Sequence, residues 1–117
     1  MSRSDLECLR DARDFAQFAQ GNAGGLSGDI LAGARQPQHA ALFDLVIIGE
    51  TLNKVSTEVQ KAAPNLPWRQ IADLRNIIVH SYWLIDLEII ADVIKNRLDP
   101  LIEELERLIG FVERTEK

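Results

Sequence analysis

Residues 68–84 read WRQIADLRNIIVHSYWL, and their apolar positions recur at helical rather than strand spacing. On a wheel of about 100° per residue with Arg75 at zero, Ile71, Leu74, Ile77, Ile78, Ser81, Leu84 and Ile85 fall in an arc of roughly 180–320°. That arc is the stripe expected to face a core. Arg75, Val79, Ala72, Trp83, Asn76 and His80 fall between about 0° and 140°. This second face is unusual, because a solvated face is normally charged, yet here Val79 and Trp83 separate an Arg from a His. A helix apolar on two sides is expected to be covered on both, and a two-fold homodimer is the commonest cover. Asn76 and His80 are four residues apart and stack. Arg75 and His80 lie about 140° apart, and converge only through the length of Arg, a local distortion or a partner subunit. Tyr82 lies close in angle to Arg75, at the edge of the core stripe.

Outward from this helix the same period dominates, with no strand-length alternation. The segment Ala63–Pro67 breaks the chain ahead of it, and Pro67 suits the first turn of a helix running to about Leu84. Before the break, a long helix is expected from Pro37 to about Lys61. Its middle, Leu42 to Glu50, is apolar almost all round and therefore buried on more than one side. Gly49 costs roughly 1 kcal/mol against Ala there, which points to a close approach by a neighbouring helix. Glu50, inside this apolar stretch, is expected to be a buried partner for an Arg or Lys, with a supporting role in a site as the sharper alternative.

Ser4 and Glu7 form a capping box for a first helix carrying Leu6, Leu9, Ala12, Phe15, Ala16 and Ala19, and ending at Gly21. The stretch Gly21 to Gly28 is a plain connector. No strand precedes it and no Gly-Lys-Ser/Thr follows, so it is not a phosphate loop. A short helical turn is expected near Asp29 to Ala34. Asp86 reads as the N-cap of a last helix to about Glu113, with a kink or restart at Asp99-Pro100. Short connections between long helices give an all-α, up-and-down bundle of four to five helices, with residues 1–117 as one domain.

Composition narrows the function classes. The 117 residues are 46% hydrophobic and 26% charged, an ordinary globular balance. The longest apolar run, Leu45 to Ile48, is far too short for a bilayer, so no membrane partner is expected. The opening MSRSDLECLRDARDF has no apolar signal segment, so a cytoplasmic location is expected. Cys8 stands alone, which leaves no internal disulfide and points to a packing role. No His, Cys or carboxylate set has metal-ligand spacing, so neither a metal nor another cofactor is expected. A net charge of −5 argues against broad nucleic-acid affinity, DNA included. Any RNA chemistry must rest on a local group of cations. His39 reads as surface decoration, and Glu103 to Arg107 as a solvated face.

Arg75-Asn-Ile-Ile-Val-His80-Ser-Tyr82 matches the Arg-x-x-x-x-His-x-Tyr pattern of HepT-like proteins, a branch of the HEPN superfamily. Ile48-Gly-Glu50, then Pro67-Trp68, Ile71 and Arg75-Asn76, follow the order and spacing of that family, so the chain resembles it over most of its length. The first helix and the Gly21–Gly28 connector match only loosely, and nothing functional carries over to them.

The resemblance implies a HEPN-like bundle that dimerises, with two Arg/His motifs near a shared cleft, acting as a metal-independent endoribonuclease. His80 would move a proton at the 2′-hydroxyl or the leaving oxygen, because an imidazole titrates near working pH. Arg75 would hold the phosphate by paired hydrogen bonds, and Asn76 would orient His80 or bind phosphate. The resemblance also implies the toxin half of a type VII-like toxin–antitoxin pair. In such a pair a minimal nucleotidyltransferase antitoxin silences the nuclease by transferring AMP to the motif tyrosine, here Tyr82. The alternative is a catalytically weak or inactive helical module that docks the transferase. Taken singly, Arg75 and Asn76 read as interhelical hydrogen-bonding groups, His80 as an interface histidine and Tyr82 as a core aromatic. Only the combined pattern points to chemistry.

Overall fold

Ser4 opens the first helix by the predicted box. Its hydroxyl accepts from Glu7 N at 3.1 Å, and the Glu7 carboxylate accepts from Ser4 N at 3.2 Å. In the computed structural model, which describes residues 3–115, this helix, α1, spans Asp5–Ala23. It runs past the expected stop at Gly21. Asn22 is held in the helix by donating to Asp44 Oδ2 at 2.8 Å, and the chain turns instead at Gly24 and Gly25, the latter with φ +83°.

Helix α2 spans Gly28–Gly33, capped by Ser27, close to the expected turn. Helix α3, Arg35–Asn53, ends well short of Lys61. The physical reason is a stronger competing cap. Ser56 N and Oγ donate to the Asp5 carboxylate at 2.9 and 2.7 Å, and Ser56 Oγ accepts from Val59 N to start α4, Thr57–Lys61.

Helix α5 is Trp68–His80. The expected continuation to Leu84 does not form: Ser81 leaves the helical region with φ −143° and ψ 46°, and Tyr82–Leu84 make a 3₁₀ turn. Beyond His80 the apolar face has little to pack against, and packing is what sustains a short helix. Asp86 then caps α6, Leu87–Asp92, by accepting from Glu88 N at 2.9 Å. A π-helical turn, Val93–Arg97, joins it to α7, Leu98–Thr115. The irregularity thus falls one turn before the predicted Asp99-Pro100, which lies inside regular helix. Pro100 has no N–H and its ring crowds the carbonyl of Asn96, so the preceding turn widens.

Four long helical runs therefore form an all-α, HEPN-like bundle, with α2 and α4 as short additions. Cross-contacts fix the directions of the neighbours. Asp5 meets Ser56 and Asn22 meets Asp44, so α1 and α3 are antiparallel. Arg10 pairs with Glu113 and Gln20 bonds Asp99, so α1 and α7 are antiparallel too. Cys8, Leu9, Ala12, Ala16 and Ala19 of α1 are fully buried in the core this creates. Small residues along α1 let α3 and α7 come close on both sides. Helix α5 lies outside this core, packed on α3, and buries none of its residues completely.

Candidate functional site

The position of α5 is set by Gly49. A Cβ there would lie 2.5 Å from Arg75 Cβ and 2.8 Å from its Cγ, so the expected close approach is real and is made on Arg75. At this contact Arg75 Nη1 donates to Glu50 Oε1 at 2.7 Å. The predicted partner of Glu50 is thus Arg75, but Glu50 is not buried. Its side chain is 42% exposed against 19% for Arg75, because Glu50 sits at the rim of the seam and reaches inward. Arg75 Nε is buried without a hydrogen-bond partner. The guanidinium is therefore gripped at one nitrogen only, and Nη2, which has no hydrogen-bond partner among the described residues, is the group left for a further acceptor.

His80 is the last residue of α5 and is exposed. Asn76 is exposed one turn before it. The helix stays regular to its end, with Ser81 N donating to Ile77 O at 2.9 Å. No local distortion turns Arg75 toward His80. Within one chain Arg75 is bound into the α3 seam, whereas His80 faces solvent about 140° around the helix. The geometry brings Arg75 to Glu50, and leaves Asn76 and His80 as a separate exposed pair.

Tyr82 departs from its expected place. On a continuous helix it would border the core; in the 3₁₀ turn it is 70% exposed, with Trp83 edge-on at 5.6 Å between ring centroids. Ile77 and Leu84, both expected to face the core, are exposed as well, while Ile71, Leu74, Ile78 and Ile85 pack against it. Val79 and Trp83 are exposed on the outer side. Ile89 on α6 is exposed as well.

The sequence reading passed over Arg69. It lies seven residues before Asn76 and eleven before His80, a spacing that puts all three within about 20° of one line on α5, and it is exposed. Among the described residues no cluster of three or more His, Cys, Asp or Glu side chains has metal-binding geometry. No helix of the described residues is long and apolar enough to cross a membrane.

A family model described as ribonuclease HepT-like matches residues 6–108. Two proteins of Methanocaldococcus jannaschii, both provisionally named RNases, are similar. One is 30% identical over 91% of this chain and 98% of its own length. The other is 29% identical over 92% of this chain and 84% of its own. A Thermococcus cleftensis protein provisionally named ribonuclease HepT is 23% identical over 92% of this chain and 98% of its own length. No solved structure matches the chain. The matched span takes in α1 to most of α7 and contains Glu50, Arg75, His80 and Tyr82; the chain belongs to the HepT-like ribonuclease family.

Proposed function

We propose that this ribonuclease-family chain cuts RNA without a metal ion, and that it is the toxin of a cytoplasmic toxin–antitoxin pair. The observation that supports this reading most directly is the split presentation of the motif: Arg75 gripped by Glu50 in the α3 seam, and His80 exposed on another side of the same helix. In the reaction the 2′-oxygen of one nucleotide attacks its own 3′-phosphorus and the bond to the 5′-oxygen breaks. The 2′-proton passes to a base, and the departing 5′-oxygen takes a proton from an acid. The products are a 2′,3′-cyclic phosphate and a 5′-hydroxyl. His80 serves as such a proton-transfer group. Arg75 neutralises the charge that builds on the phosphate oxygens, Glu50 fixes the guanidinium, and Asn76 orients His80 or binds phosphate.

Residues 1–117 act as one domain in this scheme, and as a symmetric homodimer. The exposed Val79, Tyr82, Trp83 and Leu84 supply an apolar face for the second copy. Pairing would also relieve the divergence of Arg75 and His80, because a shared cleft can set one chain's His80 against the other's Arg75. In this reading Tyr82, exposed on its turn, attacks the α-phosphorus of ATP held by a nucleotidyltransferase antitoxin. The attached AMP would put negative charge where RNA phosphate must bind.

The test is cleavage of single-stranded RNA in EDTA by the purified, unmodified protein, with the end groups identified. Activity with cyclic-phosphate ends, lost in His80→Ala and in Arg75→Ala while helicity is kept, is expected. Activity that disappears on chelation and returns with Mg²⁺ would refute the metal-independent mechanism. A folded wild type that binds the transferase but never cuts RNA would favour the docking-module reading, which the acidic net charge makes the natural rival.

A further inference from the structure

In this acidic chain most arginines are already spoken for. Arg3, Arg10, Arg13, Arg97 and Arg107 are each held in an ion pair. Arg69 makes no ion pair among the described residues and is exposed. It does not serve the helix that carries it. It sits in the first turn of α5, where the unpaired amide ends disfavour a cation, and no acidic side chain is there to offset it.

What Arg69 does line is a groove of about 270 Å³ between α3, α4 and α5, with Asn53, Gln60, Trp68 and Ala72 among its other walls. Those walls are partly fixed. Trp68 Nε1 donates to Ala63 O at 2.9 Å, and Gln60 Nε2 donates to Val55 O at 3.0 Å. The Gln60 carbonyl and its second N–H stay available, as does the exposed amide of Asn53. A planted indole, two side-chain amides and a free guanidinium are the groups that single-stranded RNA recognition uses: a stacking surface, base-edge partners and a phosphate partner. The groove lies along the seam that holds Arg75. Arg69 shares the line of Asn76 and His80, about 16 Å from His80 along the helix axis.

We infer that this groove is a second RNA subsite. Arg69 takes a backbone phosphate remote from the cut bond, and a base lies beside Trp68 within reach of Asn53 and Gln60. The inference rests on the reading that RNA is cut at the His80 face, and it adds that affinity comes from nucleotides beyond the cut bond. An acidic protein thereby gains its hold on RNA from one local track instead of a broad basic surface.

The test compares a dinucleoside monophosphate, whose only phosphate is the scissile one, with a single-stranded octanucleotide. Arg69→Ala should raise KM for the octanucleotide about tenfold, the worth of one charge-assisted hydrogen bond, with a several-fold smaller effect on the dinucleotide. In fluorescence anisotropy the log–log salt slope of octanucleotide binding should shrink by about 0.7. Arg69→Lys, which keeps the charge, should restore most of that slope. Asn53→Asp, an exposed change that puts negative charge into the groove, should weaken octanucleotide binding in the same direction. Unchanged octanucleotide KM in Arg69→Ala, or equal losses on both substrates, overturns the subsite while leaving cleavage intact. Arg69-dependent binding by a wild type that never cuts supports the subsite and sinks the cleavage reading. A wild type that neither binds nor cuts sinks both.

Discussion

Arg75 Nη1 donates to Glu50 Oε1 at 2.7 Å across the seam between α3 and α5, and with Arg75 Nε left unpaired the guanidinium is oriented from one side only. Glu50→Gln keeps an acceptor oxygen and should retain that orientation while removing the opposing charge. Glu50→Ala removes both. The pair is partly exposed, so the stability loss in Glu50→Ala should stay near ~1 kcal/mol in urea titrations. If Arg75 is the phosphate-binding cation proposed above, RNA cleavage should fall roughly tenfold or more, because misplacing such a group costs rate far beyond its cost in stability. Equal activity in wild type and Glu50→Ala would reduce Glu50 to a surface partner.

Gly49→Ala should be the more damaging change although it gains helix propensity. The new Cβ meets Arg75 Cβ at 2.5 Å, and that atom is tied directly to the α5 backbone, so the helix itself must shift. Overpacking of this kind costs about 1–3 kcal/mol, against a propensity gain of roughly 1 kcal/mol. Thermal unfolding should show a lower Tm, and cleavage should fall with it. A higher Tm would mean that the seam is looser than the close contact implies.

Asp44 provides a pH test away from the site. It is 5% exposed, and burial pushes its carboxyl above the usual 3.8, opposed only by the hydrogen bond from Asn22. A folded-state pKa above the unfolded one means that folding favours the protonated acid. Its contribution is therefore most favourable below about pH 3.8 and is lost as pH rises through the raised folded value. Asp44→Asn still accepts from Asn22 but carries no charge to bury. It should be more stable than wild type at pH 7, and the gap should close as the pH falls to the unfolded value. A gap that widens on acidification would reverse the assignment.

Where local chemistry settles an element, the sequence was enough. The Ser4–Glu7 box, the Asp86 cap, the Gly49 approach and an Arg partner for Glu50 are all visible in residue type and spacing. Two of the departures come from contacts distant in sequence. Nothing near Ser56 announces that Asp5 will hold it and end α3 at Asn53. Nothing near Gly21 announces the Asn22–Asp44 bond that carries α1 onward. The wheel drawn through Leu84 failed for a related reason: periodicity assumes the helix continues, and α5 stops at His80 once its packing ends. Tyr82 and Leu84 therefore lie at the surface instead of along the core stripe and its edge. Arg69 was legible in the spacing to Asn76 and His80, but its groove needed α4, an element the pattern had merged into α3.

Trp83→Glu tests the proposed homodimer. Trp83 is 68% exposed in the single chain, so the substitution should leave the monomer's fold and helicity nearly unchanged. In a two-fold interface the same residue would be desolvated twice, once per subunit, and a buried carboxylate there is strongly unfavourable. Sedimentation should show wild type as a dimer and Trp83→Glu as a monomer at micromolar concentration, with RNA cleavage lost alongside. A wild type that sediments as a monomer removes both the dimer and the shared cleft. A Trp83→Glu dimer places the interface on another face.

Tyr82→Phe separates control from catalysis. The ring is 70% exposed and touches Trp83 edge-on, so losing the hydroxyl should leave the fold intact and shift Tm by no more than a surface substitution does. In adenylyl transfer the phenol oxygen attacks the α-phosphorus of ATP, pyrophosphate leaves, and the phenolic proton goes to solvent or a base on the transferase. Without that oxygen no bond can form. Intact mass after incubation with the proposed nucleotidyltransferase antitoxin and ATP should show one or more adenylyl groups on wild type and none on Tyr82→Phe. The mutant should also keep cutting RNA in the presence of the transferase, where the wild type is silenced. An equal mass gain in both proteins would put the modification on another residue and leave Tyr82 as an exposed aromatic of the dimer face.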